Sequence, residues 1–157
     1  MRLFLPNHTS MLGLGGRIAS CIRAGDVLLL EGDLGAGKTT LAQGVIGALA
    51  GRELHVTSPT FTLLQTYPVT LADGTACECW HYDLYRVKHP EELIELGMDE
   101  AASHHVVLIE WPERLVNIPS AAIRIQLFFN PQGEGRYVEI TTPPTKQSHW
   151  RPCDVAA

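Results

Sequence analysis

The sequence predicts an α/β domain with parallel strands at the centre of its sheet and antiparallel strands at its edges. Three observations predict this class. An apolar run at 27–30 leads through a glycine-rich loop into a helical stretch, a second apolar run lies at 106–109, and alternating segments separated by turns predict hairpins. The length of 157 residues is typical of one domain with one core.

The individual elements follow from periodicity and from turn residues. The N-terminal part predicts a helix over 10–23 with Ser10 as its N-cap, a strand over 27–31, and a helix over 38–50 in which Gly44 and Gly47 indicate close packing against a neighbour. The remainder predicts a hairpin of strands 61–67 and 77–84, short helices over 90–96, 98–103 and 111–116, the strand 106–109, and a final hairpin of 122–129 and 137–141. We expect residues 1–143 to form the domain and residues 144–157 an irregular tail.

A phosphate-binding loop lies between the strand at 27–31 and the helix at 38–50. Residues 32–39 read GDLGAGKT, a complete G-x-x-x-x-G-K-[ST] motif. Its glycines let the backbone N–H groups approach phosphate oxygens, Lys38 can neutralise the β- and γ-phosphates, and Thr39 can offer its hydroxyl to Mg²⁺. We therefore expect a P-loop NTPase-like sandwich that binds ATP and Mg²⁺ through Asp33, Leu34, Gly35, Ala36, Gly37, Lys38, Thr39 and Thr40.

Two acidic residues at strand ends are candidates for holding Mg²⁺ and orienting the attacking oxygen. Glu110 ends the apolar run HVVLI as a Walker B carboxylate does, although a residue at this place can also cap the helix that follows. Asp83 shares a strand face with His81 and Tyr85, so this face is either a solvated polar surface or a site with His81 supporting Asp83. Glu110, Asp83 and Thr39 are the predicted metal ligands.

A third predicted catalytic residue, Thr60, lies in the hydroxyl-rich segment TSPTFT that follows the second helix. Nucleotide switches place a hydroxyl that senses the γ-phosphate in such a loop, but these hydroxyls can also serve only to satisfy a turn. Arg86 and Arg114 are both candidates for an arginine finger, and their spacing does not choose between them.

Composition narrows the function classes. A formal charge of −5 argues against a broad nucleic-acid surface, and no apolar run reaches the length of a membrane span, so we expect a cytoplasmic protein.

Cys77, Cys79 and His81 alternate and raise a zinc alternative. Same-face side chains on a strand lie about 6.8 Å apart, however, which is too far for three ligands of one tetrahedral ion.

Five ordered blocks give the chain its resemblance to a known family. They are GDLGAGKTTLAQG, SPTFTL at 58–63, HYDLYR at 81–86, PEELIELG at 90–97 and LIEWPER at 108–114, and together they resemble the TsaE family over residues 12–141. The resemblance implies an ATPase of tRNA threonylcarbamoyladenosine synthesis that acts with TsaB and TsaD and resets their complex, with tRNA contacted indirectly if at all. It also implies roles for Lys38, Thr39, Thr60, Asp83 and Glu110 in that activity.

Two other functions remain open from the residues themselves. A small-molecule kinase can be equally compact, although the arginine-rich lid of such kinases is not evident in this sequence. A non-catalytic nucleotide switch is the other alternative. The sequence contains no N-K-x-D string, whose Asp would read guanine, and this favours ATP over GTP.

Overall fold

The computed structural model describes residues 1–52, 54–57, 59 and 61–151. Its strands are β1 (Arg2–Leu5), β2 (Val27–Glu31), β3 (Leu64–Thr70), β4 (Ala76–Asp83), β5 (Val106–Glu110), β6 (Ile123–Phe129) and β7 (Arg136–Thr141). Its helices are α1 (His8–Cys21), α2 (Lys38–Ala50) and α3 (Met98–His104), with 3-10 turns at Pro90–Leu96, Pro112–Arg114 and Pro144–Lys146.

The strands form one mixed sheet in the order β1-β7-β6-β2-β5-β4-β3. Strands β6, β2, β5 and β4 run parallel to one another, while β1, β7 and β3 pair antiparallel at the two edges. This arrangement confirms the predicted fold class. The carboxyl ends of the central parallel strands therefore meet at one edge of the sheet, which is where ligands bind in open α/β sheets.

Both faces of the central strand β2 are buried, and this explains why its sequence is a continuous apolar run. Leu28 and Leu30 face the core formed with α1 and α2. Val27 and Leu29 face a second, smaller core that includes Tyr82 and residues of α3. The strand is thus fixed on both sides directly before the phosphate-binding loop.

Helices α1 and α2 approach each other through two glycines. A Cβ atom on Gly44 would lie 2.6 Å from the carbonyl oxygen of Leu12, and one on Gly15 would lie 2.6 Å from the carbonyl carbon of Gly44. The prediction of close packing at Gly44 is therefore confirmed. It is wrong for Gly47, where an added Cβ would meet no described atom within 4 Å.

Several element boundaries differ from the predicted ones for local reasons. Helix α1 begins at His8, and its N-cap is Asn7, which forms a reciprocal capping box with Ser10. Strand β3 begins at Leu64, later than predicted, because Leu63 has a left-handed backbone with φ of 62°. The edge strand β1 was not predicted.

Residues that follow the predicted domain boundary contact the core. Trp150 is 2% exposed, and its ring N–H donates to the carboxylate of Asp26 at 3.0 Å. Lys146 and His149 also contact Asp26, at 2.8 and 3.2 Å. Residues 144–151 are therefore attached to the turn that precedes β2, and the boundary at 143 stays a prediction.

Candidate nucleotide-binding site

The glycine-rich loop leaves β2 at its carboxyl end and leads directly into α2. Gly32, Gly35 and Gly37 all have positive φ, at 147°, 79° and 109°. At Gly32 the loop also passes close to β6, since an added Cβ would lie 2.7 Å from the carbonyl oxygen of Leu127. No side chain of the described residues caps the N-terminus of α2, so its amides are available to an anion.

Lys38 is held against the loop and against an aromatic ring. Its ammonium group donates to the carbonyl oxygen of Gly32 and, at 2.9 Å, to that of Asp33. It also lies 3.9 Å from the ring centroid of Trp111. Burial lowers the pKa of Lys38 below its usual value, although the carboxylates of Glu110 and its acidic neighbours oppose this. These contacts place the positive charge within the loop.

A hydrogen-bonded chain connects α2 with β5 and β4. The Thr39 hydroxyl donates to Glu110 Oε1 at 2.7 Å, and His81 Nε2 lies 3.0 Å from Glu110 Oε2. His81 is fully buried and Glu110 is 2% exposed. Glu110 therefore faces the loop, and no side chain caps the 3-10 turn that follows it among the described residues. The strand-end carboxylate therefore lies within hydrogen-bond distance of the hydroxyl that the sequence predicts as a ligand of Mg²⁺.

Asp83 lies beside Glu110 because the two residues are register partners on parallel β4 and β5. Asp83 is 4% exposed, and its carboxylate accepts a hydrogen bond from the backbone N–H of Tyr85 at 3.0 Å. The alternative of a solvated polar face is therefore wrong for His81 and Asp83. Tyr85 follows the end of β4, is 41% exposed, and its ring contacts that of Trp111.

Most of the predicted residues line one cleft of about 340 Å³. Its lining comprises Leu34, Gly35, Gly37, Lys38, Thr39, Thr40, Asp83, Tyr85, Glu110 and Trp111. Asp33 and Ala36 do not line this cleft, and Ala36 lies on the other side of the loop. Thr60 lies outside the described residues, so its role stays a prediction.

A second cavity of about 200 Å³ lies on the far side of the same loop. The segment that joins β1 to α1 contributes Pro6 and Asn7 to its lining, the first residue of α1 contributes His8, and β7 contributes Arg136. Sequence analysis missed these residues. The two cavities share Gly35, Gly37 and Thr40 and therefore lie on either side of the phosphate-binding loop and the start of α2.

Other predicted features lie outside the cleft. Arg86 is exposed, and its guanidinium lies 4.3 Å from the ring centroid of Phe61. Neither Arg86 nor Arg114 lines the cleft.

No group of three His, Cys, Asp or Glu residues in the described part of the chain could hold a metal ion, so the zinc alternative has no support there. In the same residues, no helix is long and apolar enough to span a bilayer.

Comparisons with known proteins agree on one family. The family model described as "Threonylcarbamoyl adenosine biosynthesis protein TsaE" matches residues 5–137. A Nostoc protein named tRNA threonylcarbamoyladenosine biosynthesis protein TsaE is 40% identical, covering 89% of this chain and 85% of its own length. A Haemophilus influenzae protein of the same name is 35% identical and covers 87% and 86%.

Relatives from Rickettsia are similar over a shorter part of their length. The Rickettsia felis protein of the same name is 42% identical over 71% of this chain, and the match spans 62% of that relative.

The crystal structure of YdiB from Bacillus subtilis superposes with a TM-score of 0.73 at 28% identity and covers 94% of this chain and 88% of YdiB.

Proposed function

Because the chain belongs to the TsaE family of threonylcarbamoyl adenosine biosynthesis proteins, we propose that it is the subunit that binds and hydrolyses ATP in that modification of tRNA. It acts with TsaB and TsaD, and hydrolysis resets their complex between turnovers. The whole assembly works in the cytoplasm. With a net charge of −5, the subunit contacts tRNA indirectly if at all.

The observation that carries this proposal is the convergence of the loop, Thr39, Glu110 and Asp83 on one cleft. The loop amides and Lys38 bind the phosphate chain, with Lys38 moving from the carbonyl oxygens of Gly32 and Asp33 towards the β- and γ-phosphates. Asp83 lies next to Glu110 and can orient the attacking water. These roles use residues that the fold already holds together.

Thr39, Glu110 and Asp83 provide the hydroxyl and carboxylate oxygens that Mg²⁺ prefers. We propose that these three residues would hold the ion that accompanies ATP, which would supply positive charge against the phosphate oxygens. His81 donates to Glu110 from the buried side and thereby fixes the direction of its carboxylate. The Thr39 and Glu110 oxygens are already within 2.7 Å of each other, which suits joint coordination.

The second cavity is where we place the adenine base. It adjoins the phosphate cleft across the loop, and it combines the apolar Met11 with the polar side chains of Asn7 and His8. A base needs an apolar surface to stack on and a few polar groups for orientation. Parallel titrations with ATP and GTP test this placement, and equal affinities would count against it.

The experiment that tests the proposed function is an ATPase assay of the isolated chain, repeated with TsaB and TsaD. We expect slow basal release of phosphate that rises when both partners are present, because no arginine lies among the described residues that line the cleft. Lys38→Ala should abolish tight binding of Mg-ATP. Fast turnover by the isolated chain, or no uptake of Mg-ATP in calorimetry, would contradict the proposal, and phosphate appearing on an added metabolite would indicate a kinase.

A further inference from the structure

Arg136 binds the back of the phosphate-binding loop. It begins β7, directly opposite Leu5 of β1 and Phe129 of β6. Its Nε lies 3.2 Å from the carbonyl oxygen of Ala36, and its Nη2 lies 3.2 Å from that of Gly35. One planar guanidinium therefore donates to two successive carbonyl groups of the loop, about a hundred residues away in the sequence.

The surroundings of Arg136 fix its guanidinium in this place. The group lies 4.4 Å from the ring centroid of Phe129, and it also donates to the carbonyl oxygen of Gly135 at 2.7 Å. Gly135 has φ of 91°, and a Cβ there would lie 2.7 Å from the ring of Phe4. The Phe129 ring, the Gly135 carbonyl oxygen and the loop carbonyl groups therefore all contact the guanidinium and hold it at the back of the loop.

Holding the Ala36 carbonyl group determines where the next loop amide points, whereas the N–H of Ala36 itself donates to the Asp33 carbonyl oxygen at 3.0 Å. The N–H and C=O of a planar trans peptide point in opposite directions. With the Ala36 carbonyl bound to Arg136, the N–H of Gly37 must therefore point away from Arg136. Free carbonyl groups could instead turn inward, where they would repel a phosphate.

We propose that Arg136 is a positioning residue that sets the affinity of the loop for phosphate by holding the Gly35 and Ala36 carbonyls at its back. The inference rests on the proposed binding of a nucleotide. It makes the antiparallel β6–β7 hairpin part of the nucleotide site, although Arg136 itself does not line the phosphate cleft.

Arg136→Lys separates geometry from charge. Lysine keeps the positive charge and most of the apolar stem, but its ammonium cannot reproduce the planar fork that reaches two carbonyl groups at once. Arg136→Gln removes the charge as well. A matched control is Arg2→Lys, because Arg2 also lies over an aromatic ring, that of Tyr137, on the same edge of the sheet but away from the loop.

The test is calorimetric titration of the four proteins with Mg-ADP and with magnesium pyrophosphate. We expect both Arg136 variants to bind each ligand about tenfold more weakly than the wild type, and Arg2→Lys to bind normally. With TsaB and TsaD present, both Arg136 variants should raise the KM for ATP more than they lower the turnover rate at saturating ATP, because Arg136 acts by holding the loop that binds the phosphates.

Two results would overturn the inference alone. One is wild-type affinity in Arg136→Lys, and the other is loss of affinity only in variants whose circular dichroism shows an unfolded chain at the assay temperature. Failure of the wild-type chain to bind either ligand would overturn the proposed function, and this inference with it.

Discussion

Two glycines of α2 provide a matched test of the packing that holds the phosphate-binding helix. Gly44→Ala would place its Cβ 2.6 Å from the Leu12 carbonyl oxygen and 3.2 Å from the Cα of Gly15. These are backbone atoms, so neither contact can be relieved by a side-chain rotation. Gly47→Ala, one turn further along the same helix, would meet no described atom within 4 Å.

The two substitutions should change the free energy of unfolding in opposite directions. Replacing a helical glycine with alanine stabilises a helix by about 1 kcal/mol, which is the whole effect expected at Gly47. At Gly44 the same gain is opposed by overpacking that costs up to about 3 kcal/mol, so we expect a net loss of about 2 kcal/mol. The two variants should therefore differ by about 3 kcal/mol in their free energies of unfolding.

Urea denaturation followed by circular dichroism measures this difference directly. Thermal melting should agree, with Gly44→Ala melting roughly 6–12 °C below Gly47→Ala for a chain of this size. If Gly44→Ala is as stable as the wild type, the two helices can separate without cost, and the reasoning from their close approach is wrong.

Two further predictions concern carboxylates. Glu110→Gln keeps the side-chain shape but removes the charge. The affinity for Mg-ATP should therefore change by less than about threefold, while the rate of ATP hydrolysis falls by about a hundredfold. The control variant Glu100→Gln, on the exposed side of α3, should hydrolyse ATP normally in the same phosphate-release assay. Burial alone would raise the pKa of Asp26. The hydrogen bonds from Lys146, from the Trp150 ring and from the backbone N–H of Arg23 outweigh burial and hold the pKa below its ordinary value of 3.8. The carboxylate should thus stabilise the fold above about pH 4, and this contribution is lost as the pH falls through the lowered pKa. The free energy of unfolding of Asp26→Asn should be lower than that of the wild type by about 3 kcal/mol at pH 7. Urea titrations in which this difference does not become smaller at about pH 3 would contradict the prediction.

The parts of the site that local sequence determines were predicted well. Strand β2 and helix α2 have the predicted bounds, because a continuous apolar run and a glycine-rich loop leave few alternatives. Asp83 and Glu110 were placed at strand ends from the pattern alone. Their adjacency follows from the pairing of β4 with β5, which the parallel arrangement makes possible but local sequence does not specify.

What sequence analysis missed depends on distant contacts. Arg136 follows a glycine-rich turn and looks like any residue at the start of a hairpin strand, since its partners Gly35 and Ala36 lie far away in the chain. Trp150 was assigned to an irregular tail because the residues it contacts, in the main core and at Asp26, lie far away in the chain. Neither contact leaves a periodic pattern that could be read locally.

The order of strands in the sheet has a consequence for synthesis on the ribosome. Val27 of β2 pairs with Val107 on one side, and Leu28 pairs with Ile123 on the other, so the strand that carries the loop has no neighbours until most of the polypeptide has emerged. Contacts this far apart in sequence also make folding slow. A nascent chain arrested before residue 106 would carry an intact glycine-rich motif and still be unable to assemble the pocket around it.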